Sequence, residues 1–335
     1  MRIIVPMAGM GKRMRPHTIT VPKPLVPVAG KPIVQRLVEE LAAIAHEPIE
    51  EIAFIIGDFG DEVEANLIAI AEKLGAKGSI YHQEEALGTA HAILCAKPSL
   101  SGKVIVAFAD TLFKAKLNLD DDKDGVLWVK QIENPEQFGV VKLDDENNIV
   151  DFIEKPATFV SDLAMIGIYY FKDGQNLAAE LQFLIDNKVI KGGEYQLPDA
   201  LMNMTKKGMK FVPGKVDDWM DCGNKNATVE TNSRILGYHA NEEGLVATDL
   251  KLENSVLIPP CYVGKGVTIK NSIVGPHVSV GAGCIIEKSV IEGSIIQTST
   301  TVKNANLNNS MIGNHVEYLL DSSVVSLGDY STQGK

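Results

Sequence analysis

Cysteine is scarce: four in 335 residues, at positions 95, 222, 261 and 284, with no C-x-x-C pair. A zinc site built on paired thiolates is therefore not expected. A disulfide framework is not expected in so long a chain either, and reduced cytosolic thiols are the default. No apolar run approaches the roughly 18 residues that cross a bilayer. Met1-Arg2, a short apolar run and then glycines do not make a signal peptide, which needs an apolar region of about 7–15 residues and a small-residue cleavage site. The segment reads as a first buried strand, and a cytoplasmic location is expected. The most informative absence is of one sign of charge. Residues 1–38 contain no Asp or Glu, yet hold seven cations: Arg2, Lys12, Arg13, Arg15, Lys23, Lys31 and Arg36. All 43 acids fall in the remainder, and the net charge is −11. That total argues against nucleic-acid and anionic-membrane partners. The cationic start points to a small anion.

What is present suits a globular protein of two domains. Hydrophobic residues make up 45% and charged residues 22%, enough apolar material for a sizeable core. Residues 2–8 predict a buried strand running into a Gly-rich loop. Apolar spacing predicts a helix over 32–45, with Pro32 in its first turn. A strand follows at 52–57, a helix at 61–74, strands at 79–82 and 103–108, and a helix from near Gly88. This alternation signals an α/β domain with a mostly parallel sheet. Runs at 125–130, 139–144 and 167–171 look like antiparallel insertions. Helices are expected over 174–187 and from near Pro198.

After residue 250 the helical period disappears. VGKGV (263–267), VGPHV (274–278), VGAGC (280–284) and IGNHV (312–316) share one template. Aliphatic residues at 263, 269, 274, 280, 286, 291, 296, 302, 307 and 312 recur every five or six positions. That hexapeptide repeat predicts a parallel β-helix of roughly four coils. The expected domains are 1–236, a connector at 237–250 and a β-helix over 251–330, with 328–335 as a frayed tail.

The Gly-rich loop runs Ala8-Gly9-Met10-Gly11-Lys12-Arg13. Glycines let backbone N–H groups approach an anion closely. A dinucleotide fingerprint fails, because Met14 stands at its last glycine and no acid follows about 20 residues on. A Walker loop fails too, because Pro6 stands at its first glycine and Arg13 follows Lys12. What remains is a Gly loop with Arg13, able to bridge phosphate oxygens, and Lys23 held between Pro22 and Pro24 as a stiffly placed charge. The pair suits a triphosphate whose charge shifts during reaction.

With GMGKRMRPHT and PKPLVPVAGKP, residues 1–236 resemble the sugar-1-phosphate nucleotidyltransferases, or nucleotide-sugar pyrophosphorylases. These include glucose-1-phosphate thymidylyl- and uridylyltransferases and the N-acetylglucosamine- and mannose-1-phosphate enzymes. Ala8 replaces a frequent Gly and Lys12 a frequent Thr, and neither change removes a needed charge. The resemblance implies a Rossmann-like mixed-sheet domain followed by a left-handed β-helix. It implies that Gln83 and Gly88, in QEEALGTAHA, read a pyrimidine. Asp110, after the apolar run VIVAFA, and Asp221, in WMDCG, would bind Mg²⁺. That pair suffices chemically, since Mg²⁺ takes one or two carboxylates plus phosphate oxygens. Gly139, Glu154, Gly167 and Glu194 would meet the sugar and Lys155 its phosphate. Met165 departs from the Asn or Val often found there, which leaves the sugar's substituents open.

Two patterns are set aside. Asp120–Gly125 resembles the start of an EF-hand loop, but Gln131 stands where a bidentate Glu is needed. His277 and His315, in the repeat, read as structural or exposed rather than as an acyltransferase site. The expected activity is transfer from an NTP, dTTP or UTP, to a sugar 1-phosphate, with glucose 1-phosphate favoured. N-acetylglucosamine 1-phosphate and mannose 1-phosphate are the alternatives. A non-catalytic regulatory subunit of the same fold is the rival of another class, disfavoured because Arg13, Lys23, Asp110, Lys155 and Asp221 are all present. Homo-oligomerisation through the β-helix is expected.

Overall fold

Strand β1 (Arg2–Pro6) carries the apolar run after Met1 into a sheet whose neighbours are equally apolar. The computed structural model describes residues 1–115, 123–241 and 244–323, with 325–326, 328–329 and 331 beyond them. Helix α1 (Ile33–Ile44) follows, then β2 (Glu51–Ile56), α2 (Asp61–Lys73), β3 (Lys77–His82), the short α3 (Thr89–Cys95) and β4 (Val104–Ala107). Strands β4, β1, β2 and β3 lie side by side and parallel. After Glu51 at its start, β2 reads as an unbroken apolar run, as does β4 throughout, the pattern of strands covered on both faces. Pro32 is the N-cap of α1 rather than a residue of its first turn.

The second half of this unit extends the same sheet. It contains β5 (Thr111–Lys114), β6 (Gly125–Gln131), β7 (Gly139–Leu143), β8 (Ile149–Glu154) and β9 (Leu163–Phe171). Helices α4 (Gly174–Asp186) and α5 (Leu197–Lys206), strands β10 (Phe211–Lys215) and β11 (Asp218–Asp221), and helix α6 (Lys225–Tyr238) follow. The runs that look like insertions are full members of the nine-stranded sheet, ordered β8-β7-β9-β4-β1-β2-β3, with β6 on β9 and β10 on β6. Strand β9 is antiparallel to both β4 and β6. One core cluster joins Ile4, Ile55, Val104 and Val106 of the sheet to Ile93 of α3, Leu181 of α4 and Leu201 of α5. Asp120, Asp121 and Asp122 lie outside the described residues, and Gly125–Gln131 beyond them is strand rather than a cation loop.

The repeat folds as a parallel β-helix of three sheets. Lys251 pairs with Thr268 and Thr268 with Ile285, a step of 17 residues that shortens to 16 in the later coils. Val263, Ile269, Val274, Val280, Ile286, Ile291, Ile296 and Val302 fill its interior, with Leu307 and Ile312 packed against them. These are the aliphatic positions of the repeat. A serine ladder ties the coils together: Ser272 N–H donates to Ser255 Oγ, Ser289 N–H to Ser272 Oγ, and Ala305 N–H to Ser289 Oγ. His277 lies with Nδ1 3.1 Å from Ser233 O, and His315 takes a left-handed corner, φ 56°.

By contacts the chain forms two compact units, Met1–Val26 with Lys31–Ala227, and Pro27–Gly30 with Thr228–Lys335. Most of α6 therefore belongs with the β-helix. Its buried Asn232 explains why, since Oδ1 accepts from Ala29 N–H at 2.9 Å and from Ser279 Oγ at 2.6 Å. Among the described residues no helix is long and apolar enough to cross a membrane.

Candidate active site

The cationic segment is shaped by one tight contact. Gly11 has a left-handed φ of 61° and caps the 3-10 turn Lys12–Met14. A Cβ at Gly11 would stand 2.6 Å from Lys23 Cβ, so only glycine lets the two stretches press together. Thr18 Oγ donates to Gly11 O at 2.8 Å and pins the loop. Lys23, in a second 3-10 turn begun by Pro22, is only 7% exposed. Its Nζ donates to Asp110 Oδ2 at 2.8 Å.

Asp110 and Asp221 are far apart in sequence but adjacent in space. Strand β4 ends just before Asp110, at the carboxyl end where ligands of α/β sheets collect. Strands β5 and β11 then pair antiparallel, with Thr111 opposite Asp221, and Cys222 N–H donates to Asp110 O at 2.9 Å. Burial pushes the Asp221 carboxyl up, and the Asp110 charge raises it further. The Gly223 N–H, 3.0 Å from Oδ1, and the charges of Lys23 and Arg13 pull it back down. Two carboxylates held together against mutual repulsion form a donor set that suits a hard divalent cation. Among the described residues no group of three His, Cys, Asp or Glu could hold a metal, so further ligands would be oxygens of a bound phosphate or water.

This tension has a sign in stability. The folded carboxyl of Asp221 is raised, so the native state holds more protons than the unfolded chain between the ordinary carboxylate pKa and the raised one. Its contribution to stability therefore falls as pH rises through that window. Asp221→Asn removes the penalty and keeps an oxygen for the Gly223 N–H. Without divalent ions at neutral pH we expect its melting temperature to rise by about 2–4 °C, for about 1 kcal/mol of relieved charge burial and repulsion. Calorimetry in the presence of a chelator reads this directly, and an unchanged or lower value would contradict it.

A cavity of about 390 Å³ opens beside these groups. Ala8, Gly9, Gly11, Arg13 and Lys23 line it from the N-terminal loop, Gln83 and Gly88 from the β3–α3 loop, and Asp110 and Glu194 from elsewhere. Nothing lies within 4 Å of a Cβ at Gly9, so the loop backbone is open to an approaching group. Gly88, φ 111°, sits where a Cβ would meet Tyr195 O at 2.4 Å and Glu194 Cβ at 2.9 Å. That contact carries Glu194, expected on the sugar side, into the same cavity as Gln83.

Gly139, Glu154, Lys155, Gly167 and Asp221 do not line this cavity, although Gly223 does. Gly139 faces Glu154 across the β7–β8 pair, and a Cβ there would stand 2.8 Å from Glu154 Oε2. Lys155 has a left-handed φ of 45°, and its Nζ lies 3.7 Å from Glu154 Oε1. Glu154 lines a second cavity of about 450 Å³ with Lys191 and Asp199, which are themselves ion-paired. Gly167, φ 86°, occupies the irregularity of β9 between Met165 and Tyr169, and its carbonyl accepts from Phe108 N–H at 2.9 Å. Phe108 lines the first cavity and meets Tyr169 edge to face. The Tyr169 hydroxyl is pushed up by burial and then by the charges of Glu154 and Asp110.

Sequence reasoning missed Phe108, Tyr169, Thr89, His91 and Lys225. Thr89 Oγ accepts from Leu197 N–H at 3.0 Å and ties the Gly88 loop to α5. The ring of His17 is lowered by burial and then by the Lys225 charge, so a later cation joins the acid-free segment. Thr89 carried a signal, as the direct neighbour of Gly88, and so did Phe108, two residues before Asp110 in the apolar run that ends there. The others carried none.

The family model described as "Nucleotidyl transferase" matches residues 3–237. The chain belongs to the nucleotidyl transferase family. A second model, "GlmU-like, C-terminal hexapeptide", matches residues 240–302 of this nucleotidyltransferase. The "Bifunctional protein GlmU" of Methanocaldococcus jannaschii is 30% identical over 77% of the chain. The match spans only 60% of that relative's length. The "Low-salt glycan biosynthesis nucleotidyltransferase Agl11" of Haloferax volcanii is 30% identical over 76% of the chain and 72% of its own. The "Glucose-1-phosphate thymidylyltransferase" of Streptomyces griseus is 28% identical over 99% of the chain and 98% of its own. A crystal structure of a putative glucose-1-phosphate thymidylyltransferase from Bacillus anthracis, in complex with a sucrose, shares the fold. Its TM-score is 0.59 at 22% identity, over 70% of this chain and 94% of that one.

Proposed function

We propose that this nucleotidyltransferase transfers a nucleotidyl group from dTTP or UTP to a sugar 1-phosphate, with glucose 1-phosphate preferred. The products are the nucleotide sugar and pyrophosphate. The observation that carries the reading is the meeting of Lys23, Asp110 and the open Gly loop at one cavity edge. The end-to-end similarity to the Streptomyces griseus relative supports the choice of base and sugar.

In the reaction, an oxygen of the sugar phosphate attacks the α-phosphorus as the bond to the β-phosphate breaks. Pyrophosphate leaves with that bonding pair. The protein's share is positioning and charge, since the phosphates carry the chemistry. The backbone at Ala8, Gly9 and Gly11 and the guanidinium of Arg13 hold the triphosphate and the departing pyrophosphate. Lys23 meets the charge that builds between the phosphates. Gln83 and Gly88 hold the base. Gly139, Glu154, Gly167 and Glu194 receive the sugar, and Lys155 swings from its neighbour Glu154 to the sugar phosphate. Asp110 and Asp221 would hold Mg²⁺, which when bound neutralises charge and polarises the α-phosphate.

One substrate matrix tests this reading. Pyrophosphate release is measured with Mg²⁺ for dTTP and the four NTPs against glucose, N-acetylglucosamine, mannose and galactose 1-phosphates. The expected maximum is dTTP or UTP with glucose 1-phosphate. No release anywhere in the matrix would favour a non-catalytic subunit and overturn the proposal.

A further inference from the structure

The orientation of the Gln83 side chain is settled by its neighbours. Its nitrogen Nε2 lies 3.2 Å from Gly88 O and 3.2 Å from His91 Nδ1. A backbone carbonyl has no proton to give, so the amide group facing Gly88 O is the NH₂. His91 Nδ1 then faces a donor and is the unprotonated, accepting nitrogen, with the ring proton on Nε2. Both protons of the Gln83 amide are spent on these two bonds. What remains is Oε1, a pure acceptor, on a residue that lines the cavity. Gly88, beside it, precedes the first helical residue Thr89, so its N–H has no partner within the helix.

His91 is needed for this polarity. Gly88 O already accepts from Ala92 N–H at 3.0 Å, so its hold on Gln83 is a shared one. The terminal torsion of glutamine is broad and nearly two-fold, so an amide held by one shared bond turns over easily. Two bonds lock it.

We infer that His91 is a positioning residue for base selection. By fixing the Gln83 NH₂ away from the cavity, it presents an acceptor beside the Gly88 N–H donor. This pair fits a base edge that carries a ring N–H next to a carbonyl. Uracil and thymine have that edge, as does guanine. Cytosine and adenine present the reverse, a ring acceptor beside an amino donor. The inference rests on the reading of this cavity as a nucleotide site, and it adds the residue that sets the site's hydrogen-bond polarity.

The test is a ratio. For the wild type, kcat/KM with UTP or dTTP exceeds that with CTP by about 10²-fold or more, because the wrong edge leaves polar groups unpaired. His91→Leu removes the acceptor and lowers that ratio about tenfold. His91→Asn, whose Oδ1 can stand in place of Nδ1, keeps the ratio within about twofold of wild type. His91→Ala, favoured in a helix, replaces the Leu variant should that one not fold. A purely structural role would weaken every nucleotide by one factor and leave the ratio alone. An unchanged ratio in the Leu or Ala variant, equal loss in the Asn and Leu variants, or a wild-type preference for CTP or ATP overturns the inference. Calorimetric affinities for UTP, dTTP, GTP and CTP, measured without sugar phosphate, separate it from the transferase reading. Base-selective binding that is lost with His91→Leu upholds the inference even if no pyrophosphate is released. Base-independent affinity overturns it even if pyrophosphate is released.

Discussion

Lys23→Ala lowers turnover by about 10²–10³, the usual loss for one preorganised electrostatic partner of a developing charge. The cation is not a surface residue that water can replace. It is 7% exposed, its Nζ sits 2.8 Å from Asp110 Oδ2, and Pro22 and Pro24 flank it. Alanine keeps the Cβ against which Gly11 is packed and loses the charge and the stem. Asp110 is 44% exposed, so solvent screens much of what its lost partner leaves behind, and the stability cost stays near ~1 kcal/mol. Lys23→Met, which keeps most of the stem, loses the same turnover and less stability. Steady-state pyrophosphate release with thermal unfolding of both variants checks this. Wild-type-like turnover in either folded variant would remove Lys23 from its proposed role.

Asp110→Asn gives a loss of similar size, about 10²–10³ in turnover, by a different route. The amide oxygen still accepts from Lys23 Nζ, so the lysine keeps its place. The charge that raises the neighbouring Asp221 is gone. The protein without divalent ions is therefore as stable as wild type or slightly more so. What would suffer is the affinity for Mg²⁺ at the proposed pair, because one of two carboxylates has become neutral. Turnover titrated with Mg²⁺ shows a higher half-saturating concentration than wild type. A variant with unchanged turnover and unchanged Mg²⁺ demand would separate Asp110 from the metal.

Some of this was legible in residue spacing, and some was not. The β-helix was, because each aliphatic position of the repeat points inward by itself and each coil repeats the one before. Strands β1, β2 and β4 were legible because burial on both faces leaves an unbroken apolar run. The irregularity of β9 at Gly167 was not, because the apolar run continues across it. The strands at 125–131 and 139–143 carry antiparallel signals, but nothing local says that they join the main sheet. The split of α6 between two units depends on where one buried Asn finds its partners, at Ala29 and Ser279.

The same division runs through the site. The acid-free first 38 residues, the loop glycines and the proline-flanked Lys23 were written in the sequence, since local charge and local backbone freedom are local properties. The meeting of Asp110 with Asp221 was decided by the β5–β11 pair, which closes a long stretch of chain. The arrival of Glu194 beside Gly88 was decided by the packing of the Tyr195 segment on the β3–α3 loop, and the hydrogen bonds that turn the Gln83 amide by the folded shape of that loop. Spacing carries which residue types are present and which way a strand or helix faces. Only the packed fold decides which lone pair meets which proton, because that depends on partners the chain brings back from far away.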